Sequence, residues 1–291
     1  MTPRQIAMAL VPPLGFGTGF TIAKPATAHF PPLFMMLMIY GGIAIALLIT
    51  HREPLRTRWP HILLISAFSV TIQGAMIFPA LKGMSSTAAN LIVQSQVPIA
   101  VLLGWLLMGD RLDGRKVLGT ALALLGVGIV IGLPDEKPPL IPVLFVIGGA
   151  FAWALGQALA QKFGRDGGIG LLKANAVGGA PQLALASFFL EQGQFESLRT
   201  AGTEQWLMLT FVGIIGFYVA YMVWFALLKE CRMDELAPFI LLMPVVGVVT
   251  AFFVLGEHIS PAQIIGGAVI MLGLAIVSGL GPQRMFAKRQ T

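Results

Sequence analysis

The feature that most constrains this chain is the spacing of its charges. Charged side chains gather into short clusters, and between them run apolar stretches of about 18 to 22 residues, each long enough to cross a bilayer. Ten such stretches can be marked: residues 5–23, 33–50, 61–81, 85–108, 116–132, 140–161, 171–190, 205–228, 236–255 and 262–280. Only 11% of the 291 residues are charged, against roughly a quarter in an ordinary soluble domain. The pattern predicts an all-α integral membrane protein of ten transmembrane helices. The first stretch has one preceding Arg4 and runs into Lys24-Pro25 rather than a small-residue cleavage site, so it is expected to be a span and not a signal peptide.

The basic residues test this count, because cytoplasmic loops retain excess Lys and Arg. With the N-terminus inside, only Lys24, Lys82, Lys137 and Arg199 fall outside, which leaves 15 of the 19 Lys and Arg on the cytoplasmic side. A missed or extra helix would scramble that bias. Both termini are therefore expected in the cytoplasm, in a bacterial inner membrane. The formal charge of +6 is accounted for by topology and does not call for a nucleic-acid partner.

An internal repeat is visible in the chain itself. Gly109-Asp110-Arg111-Leu112, followed by Gly119 and Gly126, recurs 147 residues on as Gly256-Glu257-His258-Ile259, followed by Gly266 and Gly273. At the same offset Phe78 to Lys82 meets Phe225 to Lys229; the first and sixth spans pair more weakly, Phe16-Gly17-Thr18-Gly19 with Trp153-Ala154-Leu155-Gly156 at an offset of 137. The expected halves are residues 1–136 and 137–291. Five spans per copy is odd, so the second copy would enter the membrane in the opposite sense, an arrangement that puts a substrate site between the halves near the midplane.

Taken together, the run Gly19 to Lys24, Pro31-Pro32-Leu33, Gly109 to Leu112, Ala152 to Gln157, Leu236-Ala237-Pro238 and Met243 to Gly247 resemble the EamA family of the drug/metabolite transporter superfamily. The resemblance covers nearly the whole chain. Leu91 to Gln96 and Met243 to Gly247 are most similar to bacterial exporters of cysteine and O-acetylserine. Many relatives have Trp-Gly in span one where this chain has Phe16-Gly17. What the resemblance implies is export of small metabolites, amino acids or their derivatives foremost, with drugs, cations, sugars, nucleosides and polyamines as alternatives.

No enzyme constellation is present: no HExxH, GxSxG or Walker loop, and the lone Cys231 gives neither a disulfide nor a metal cluster. No cofactor is expected. Gly15-Phe16-Gly17-Thr18-Gly19 follows no strand and is read as close helix packing. An intramembrane enzyme or lipid-handling protein would need a reactive group at depth, and the titratable residues fall near span ends.

Polar side chains within spans must face protein, water or ligand. Thr87, Asn90 and Gln94 share one face of span four, and Ser66, Ser69 and Gln73 one face of span three. Trp153 and Gln157 lie four apart, Tyr218 and Tyr221 three apart, and Asn175 and Gln182 two turns apart. Gln73, Asn90, Gln94, Trp153, Gln157, Asn175, Tyr218 and Tyr221 are the candidate lining of a polar, uncharged cavity with an aromatic wall. For each, a hydrogen bond to a neighbouring helix is the competing role. Pro98 and Pro244, near the middle of spans four and nine, are candidate gates or static bends. Lys24 closes span one, where its ammonium can snorkel outward or meet a substrate carboxylate. Protons are a candidate coupling ion, although no carboxylate sits well inside a span.

Overall fold

The computed structural model describes residues 1–132, 138–231 and 233–279. The proposed boundary between the halves at 136/137, the basic residues Lys137, Arg232, Arg284, Lys288 and Arg289, and the end of the last predicted span lie outside them. Among the described residues the fold is helical, without strands. The helices are α1 (Pro3–Ala9), α2 (Val11–His29), α3 (Pro32–Thr50), α4 (Trp59–Ser66), α5 (Gln73–Ala80), α6 (Ser86–Ile92), α7 (Gln96–Met108), α8 (Gly114–Gly132), α9 (Leu140–Phe163), α10 (Ile169–Leu190), α11 (Gln194–Thr200), α12 (Thr203–Thr210), α13 (Ala220–Glu230), α14 (Met233–Ile240), α15 (Leu242–Leu255) and α16 (Pro261–Val277). A π-helical segment, Ala67–Ile72, joins α4 to α5, and another, Phe211–Val219, joins α12 to α13; a 3₁₀ turn, Val93–Ser95, joins α6 to α7.

Eight continuous helical rods are long and apolar enough to cross a membrane. Two further helices occupy the seventh and tenth predicted spans. α10 has the length but carries Lys173, Asn175 and Gln182, and α16 is apolar but has 17 residues. The large exposed apolar side chains belong to this architecture: Phe188, Phe189 and Phe253 are each at least 75% exposed, as lipid-facing residues are.

The predicted boundaries hold to within a few residues except in span one, where the helix was expected to stop at Ala23. α2 continues through Lys24 and Pro25 to His29. Proline ends a helix in water because it frees a carbonyl and clashes with the preceding turn, but inside a bundle the neighbouring groups compensate. Lys24 is thus a helical residue, and the Thr27 hydroxyl donates to its carbonyl at 2.7 Å.

Local chemistry explains the helix ends. Ser85 caps α6 by accepting from Ala88 N, Ser260 forms a capping box with Gln263 at α16, and Asp113 accepts from Lys116 N at α8. Gly109 and Gly256 stop α7 and α15 in left-handed conformation, φ 72° and 64°, where a side chain would be strained.

Glycines set the closest helix crossings. α8 and α16 run antiparallel and touch backbone to backbone: a Cβ on Gly119 would lie 2.7 Å from the Gly273 carbonyl, and one on Gly126 2.7 Å from that of Gly266. α2 lies between the π segment, α13 and α15, with Gly19 on Gly216 and Gly17 against the Met243 carbonyl. α9 lies on α5, the first π segment and α7, with Gly156 against Ser69. α3 packs on α10. Without a hydrophobic drive between helices in lipid, such approach is what dispersion forces need.

Candidate functional site

The polar face expected on span four is divided by the structure into two parts. Thr87, at its start, is spent: its hydroxyl and its backbone N–H both donate to Glu257, at 2.9 and 3.0 Å. Asn90 and Gln94 lie deeper and are buried, and both amide atoms of Asn90, the Nε2 of Gln94 and the hydroxyl of Ser95 have no hydrogen-bond partner. A buried unsatisfied polar group costs about 1–3 kcal/mol, so three neighbouring side chains left this way mark a place where a polar guest would be stabilised.

The surroundings of Asn90 are tightly defined. Its amide lies over Gly247 of α15, where any Cβ would collide with it. The Thr21 hydroxyl lies between two carbonyls, 3.1 Å from that of Gly17 and 3.0 Å from that of Gly247, and pins α2 to α15 beside it. The 3₁₀ turn bearing Gln94 packs on α9, which carries Trp153 and Gln157; both are half-buried and flank Gly156. α2, α6, α9 and α15 thus converge on the orphaned amides.

On span three the expected stripe is mostly structural. Ser66 donates to the Leu63 carbonyl and accepts from Gln182 Nε2, which also donates to Leu63 O at 2.9 Å, while Thr71 donates to Gln182 Oε1 at 2.9 Å. Gln182 is therefore glue between α10 and the α4–α5 rod. Ser69, beneath Gly156, and the Oδ1 of Asn175 have no partner. Gln73 is half-buried, its carbonyl beside Gly149.

Of the two tyrosines, one stands in a cluster of rings. Tyr221 stacks on Phe225 at 5.9 Å, meets Phe16 edge-on at 4.8 Å and lies 6.4 Å from Phe217, which meets Tyr40 at 5.9 Å. Tyr218 packs against the main apolar core outside this ring cluster. The π segment ends between the two tyrosines, so the spacing of three does not carry both rings to one place. Phe16, Tyr40, Phe217 and Phe225 were not singled out from sequence, since single aromatics in apolar runs carry no signal of their own.

Pro98 and Pro244 are the buried third residues of α7, which follows the 3₁₀ turn, and of α15, which follows Leu241. Each proline follows a local change of helical geometry within a continuous rod, where neighbouring groups can compensate for its missing N–H.

Lys24 ends in an ion pair. Its Nζ lies 2.7 Å from Glu257 Oε1, and the same carboxylate accepts from the N–H groups of Ser86 at 2.7 Å and Thr87. Burial pushes the Glu257 carboxyl up, but the Lys24 bond, the two backbone donors and the Lys24 charge outweigh it and hold the group below the usual carboxylate range. One carboxylate from the α15–α16 turn thus joins α2 to the N-terminus of α6.

Two segments, residues 4–132 and 140–279, match the EamA-like transporter family. The chain belongs to this family. It is 28% identical to a protein of Escherichia coli strain K12 and 29% identical to one of Salmonella typhimurium strain LT2, each match covering 95% of both chains, and both proteins are named "Probable amino-acid metabolite efflux pump". A solved structure superposes with a TM-score of 0.68 over 98% of this chain and 99% of its own at 19% identity, which speaks for the shared fold. The EamA-like chain is thus a multi-pass membrane transporter.

Proposed function

We propose that the protein is a secondary transporter that exports small metabolites, amino acids or their derivatives, by alternating access between two inverted five-span repeats in a bacterial inner membrane, with both termini cytoplasmic. The observation that carries the substrate reading is the pair of buried amides, Asn90 and Gln94, left unsatisfied where α2, α6, α9 and α15 meet. No charged side chain joins them in the unsatisfied set. Uncharged donors and acceptors suit a zwitterion that must be released as well as bound, and the names of the Escherichia and Salmonella relatives point the same way.

The repeat is supported by how contacts exchange between corresponding elements, which lie 147 residues apart from span three onward and 137 apart in the first span of each copy. α8 and α16, which correspond, pair with each other; Gly119 meets Gly273 while its counterpart Gly266 meets Gly126. α2 packs on α13 and α15, and its counterpart α9 packs on α5 and α7, their counterparts. Gly19 lies on Gly216 as Gly156 lies on Ser69, and position 69 corresponds to 216. The two π segments end at corresponding residues, Ile72 and Val219. Two-fold exchange of partners is what antiparallel copies produce.

The test is transport by purified protein in proteoliposomes loaded with labelled cysteine, O-acetylserine, threonine or methionine. Gln94→Ala and Trp153→Ala are expected to slow efflux while leaving folded yield intact. Absence of transport across a broad metabolite panel would refute the substrate class, and full activity of both variants would move the site elsewhere.

A further inference from the structure

At the opposite end of α3 from its first turn, the α3–α4 connection, the α9–α10 connection and the end of α13 enclose a cavity of about 180 Å³. Four cations line it, Arg56, Arg165, Lys173 and Lys229, against two carboxylates, Glu53 and Asp166. Asp166 offsets Arg56 within the lining: its oxygens accept from the N–H groups of Arg56 and Thr57, both at 2.9 Å, and the Arg56 charge acts on the same carboxylate. Arg165, Lys173 and Lys229 have no ion-pair partner among the described residues. The ion pairs among the described residues are those of the Met1 amine with Glu235 and of Lys24 with Glu257, and neither involves this cavity.

Two features make the cavity more than a basic surface. Lys173 is 6% exposed, and its ammonium is fixed by donation to the carbonyls of His51 at 2.7 Å and Glu53 at 2.9 Å, neutral acceptors that leave its charge intact and one N–H over. The 22-residue helix α10 begins at the cavity with Ile169 and Gly170 in the lining and no side-chain cap; the Asp166 carboxylate lies just before its first turn, Oδ1 3.7 Å from where a Cβ on Gly170 would be, and shares that positive end with any anion in the cavity. An uncapped helix N-terminus offers aligned N–H donors and a partial positive charge to an anion. Gly168, at φ 58°, gives the chain the left-handed turn that opens the helix there.

We propose that the cavity where the uncapped N-terminus of α10 meets Arg56, Arg165, Lys173 and Lys229 binds a phosphate-bearing anion. The source is either the headgroup of an anionic phospholipid or a soluble phosphate. Leu48 and Ile49, exposed on the last turns of α3 beside His51, and the exposed Trp59 that opens α4 provide apolar surface along which acyl chains would lie. The site is separate from the buried amides and does not depend on what is transported.

Full-length protein in neutral detergent is compared by native mass spectrometry with phosphatidylglycerol and with phosphatidylcholine, and by thermal unfolding with millimolar inorganic phosphate. The expected result is retention of phosphatidylglycerol over phosphatidylcholine by about tenfold or more, lost in the double variant Arg165→Gln/Lys229→Gln. Both side chains are exposed, so folding is not at stake. Arg52→Gln, a neighbouring exposed cation outside the lining, is expected to bind as the parent does. Stabilisation by inorganic phosphate without lipid preference, again lost in the double variant, assigns the site to a soluble phosphate. Binding of neither probe, or equal binding by parent and double variant, overturns the proposal.

Discussion

Neutralising Glu257 should open one end of the bundle. Its carboxylate accepts four hydrogen bonds, from Lys24 Nζ, the N–H groups of Ser86 and Thr87, and the Thr87 hydroxyl. In Glu257→Gln the amide keeps one acceptor oxygen and turns an NH₂ toward donors, so the Lys24 bond and at least one backbone bond are lost. A hydrogen bond to a charged group contributes about 1.5–3 kcal/mol, but Lys24 keeps 30% of its side chain exposed and its share is discounted to about 1 kcal/mol. The sum is about 2–3 kcal/mol, which at about 1.4 kcal/mol per tenfold shifts the closed-to-open ratio about 30- to 140-fold.

The assay uses Ala88→Cys, a buried position one turn into α6, in a Cys231→Ser background that removes the chain's one native thiol. Modification by a membrane-impermeant maleimide then reports the open population. Glu257→Gln is expected to accelerate labelling at least about tenfold, and Lys24→Met less, because the bonds from α6 to Glu257 survive. The sign of the pH effect follows from the depressed carboxyl. A carboxylate held below its ordinary range in the closed state stabilises that state fully above the ordinary carboxylate range and ceases to as pH falls through its closed-state value. Parent labelling should therefore be slow and flat from neutral pH down to about 5 and rise only in stronger acid. Labelling rates in Glu257→Gln within twofold of the parent would refute the reasoning.

Three further outcomes are expected. Gly247→Ala drives a methyl into the Asn90 amide and should cost about 1–3 kcal/mol; thermal unfolding of Gly247→Ala/Asn90→Ala should recover part of the loss, and strict additivity would show the clash is not the cause. Gly126→Ala should lower the unfolding temperature by separating α8 from α16, whereas Gly128→Ala on the same helix meets open space and should not; equal effects would show that the crossing is not set by these contacts. Gln182→Leu removes bonds to Thr71, Leu63 and Ser66 and should lose roughly 1–2 kcal/mol of stability with efflux unchanged, since intramembrane hydrogen bonds of this kind average about 0.6 kcal/mol each; a selective loss of transport would place Gln182 in the site.

The spans were legible because hydropathy over twenty residues averages out local detail, and they failed where one residue matters, at Pro25. Gly119, Gly126, Gly266 and Gly273 were visible as a repeated spacing, but that they meet each other was not, since the sequence does not say which helices pair. The π segments were not, since one widened turn leaves the apolar composition unchanged while moving every later side chain around the axis; Tyr218 and Tyr221 part for that reason. The polar stripes were half legible. Sequence shows that Gln182 and Asn90 are both amides at depth, but whether an amide is satisfied depends on what the facing helix offers, and that helix lies 111 positions away at Thr71 in one case and is the bare Gly247 in the other. The partners of Glu257 were not legible, because nothing near it in the chain announces Lys24 or Ser86.

On the proposed repeat, the positions that correspond in backbone differ in chemistry, and the difference has a direction. Ser69 corresponds to Gly216, and Asn90 to Ala237, so at these two positions the first copy holds the polar group, and Gly156 and Gly247 of the second give the bare surface against which they project. A glycine beneath an amide is the condition for that amide to fit, as Gly247 beneath Asn90 makes plain. A symmetric pair of amides would collide at the crossing or need a wider gap. Divergence of one copy toward small residues lets an inverted scaffold keep its tight helix contacts and still carry an unsatisfied polar site, and reversing it with Gly216→Ser is expected to disturb the packing of α2 on the second π segment, where Gly19 lies, rather than add a second site. Retained stability of Gly216→Ser in thermal unfolding would count against this reading.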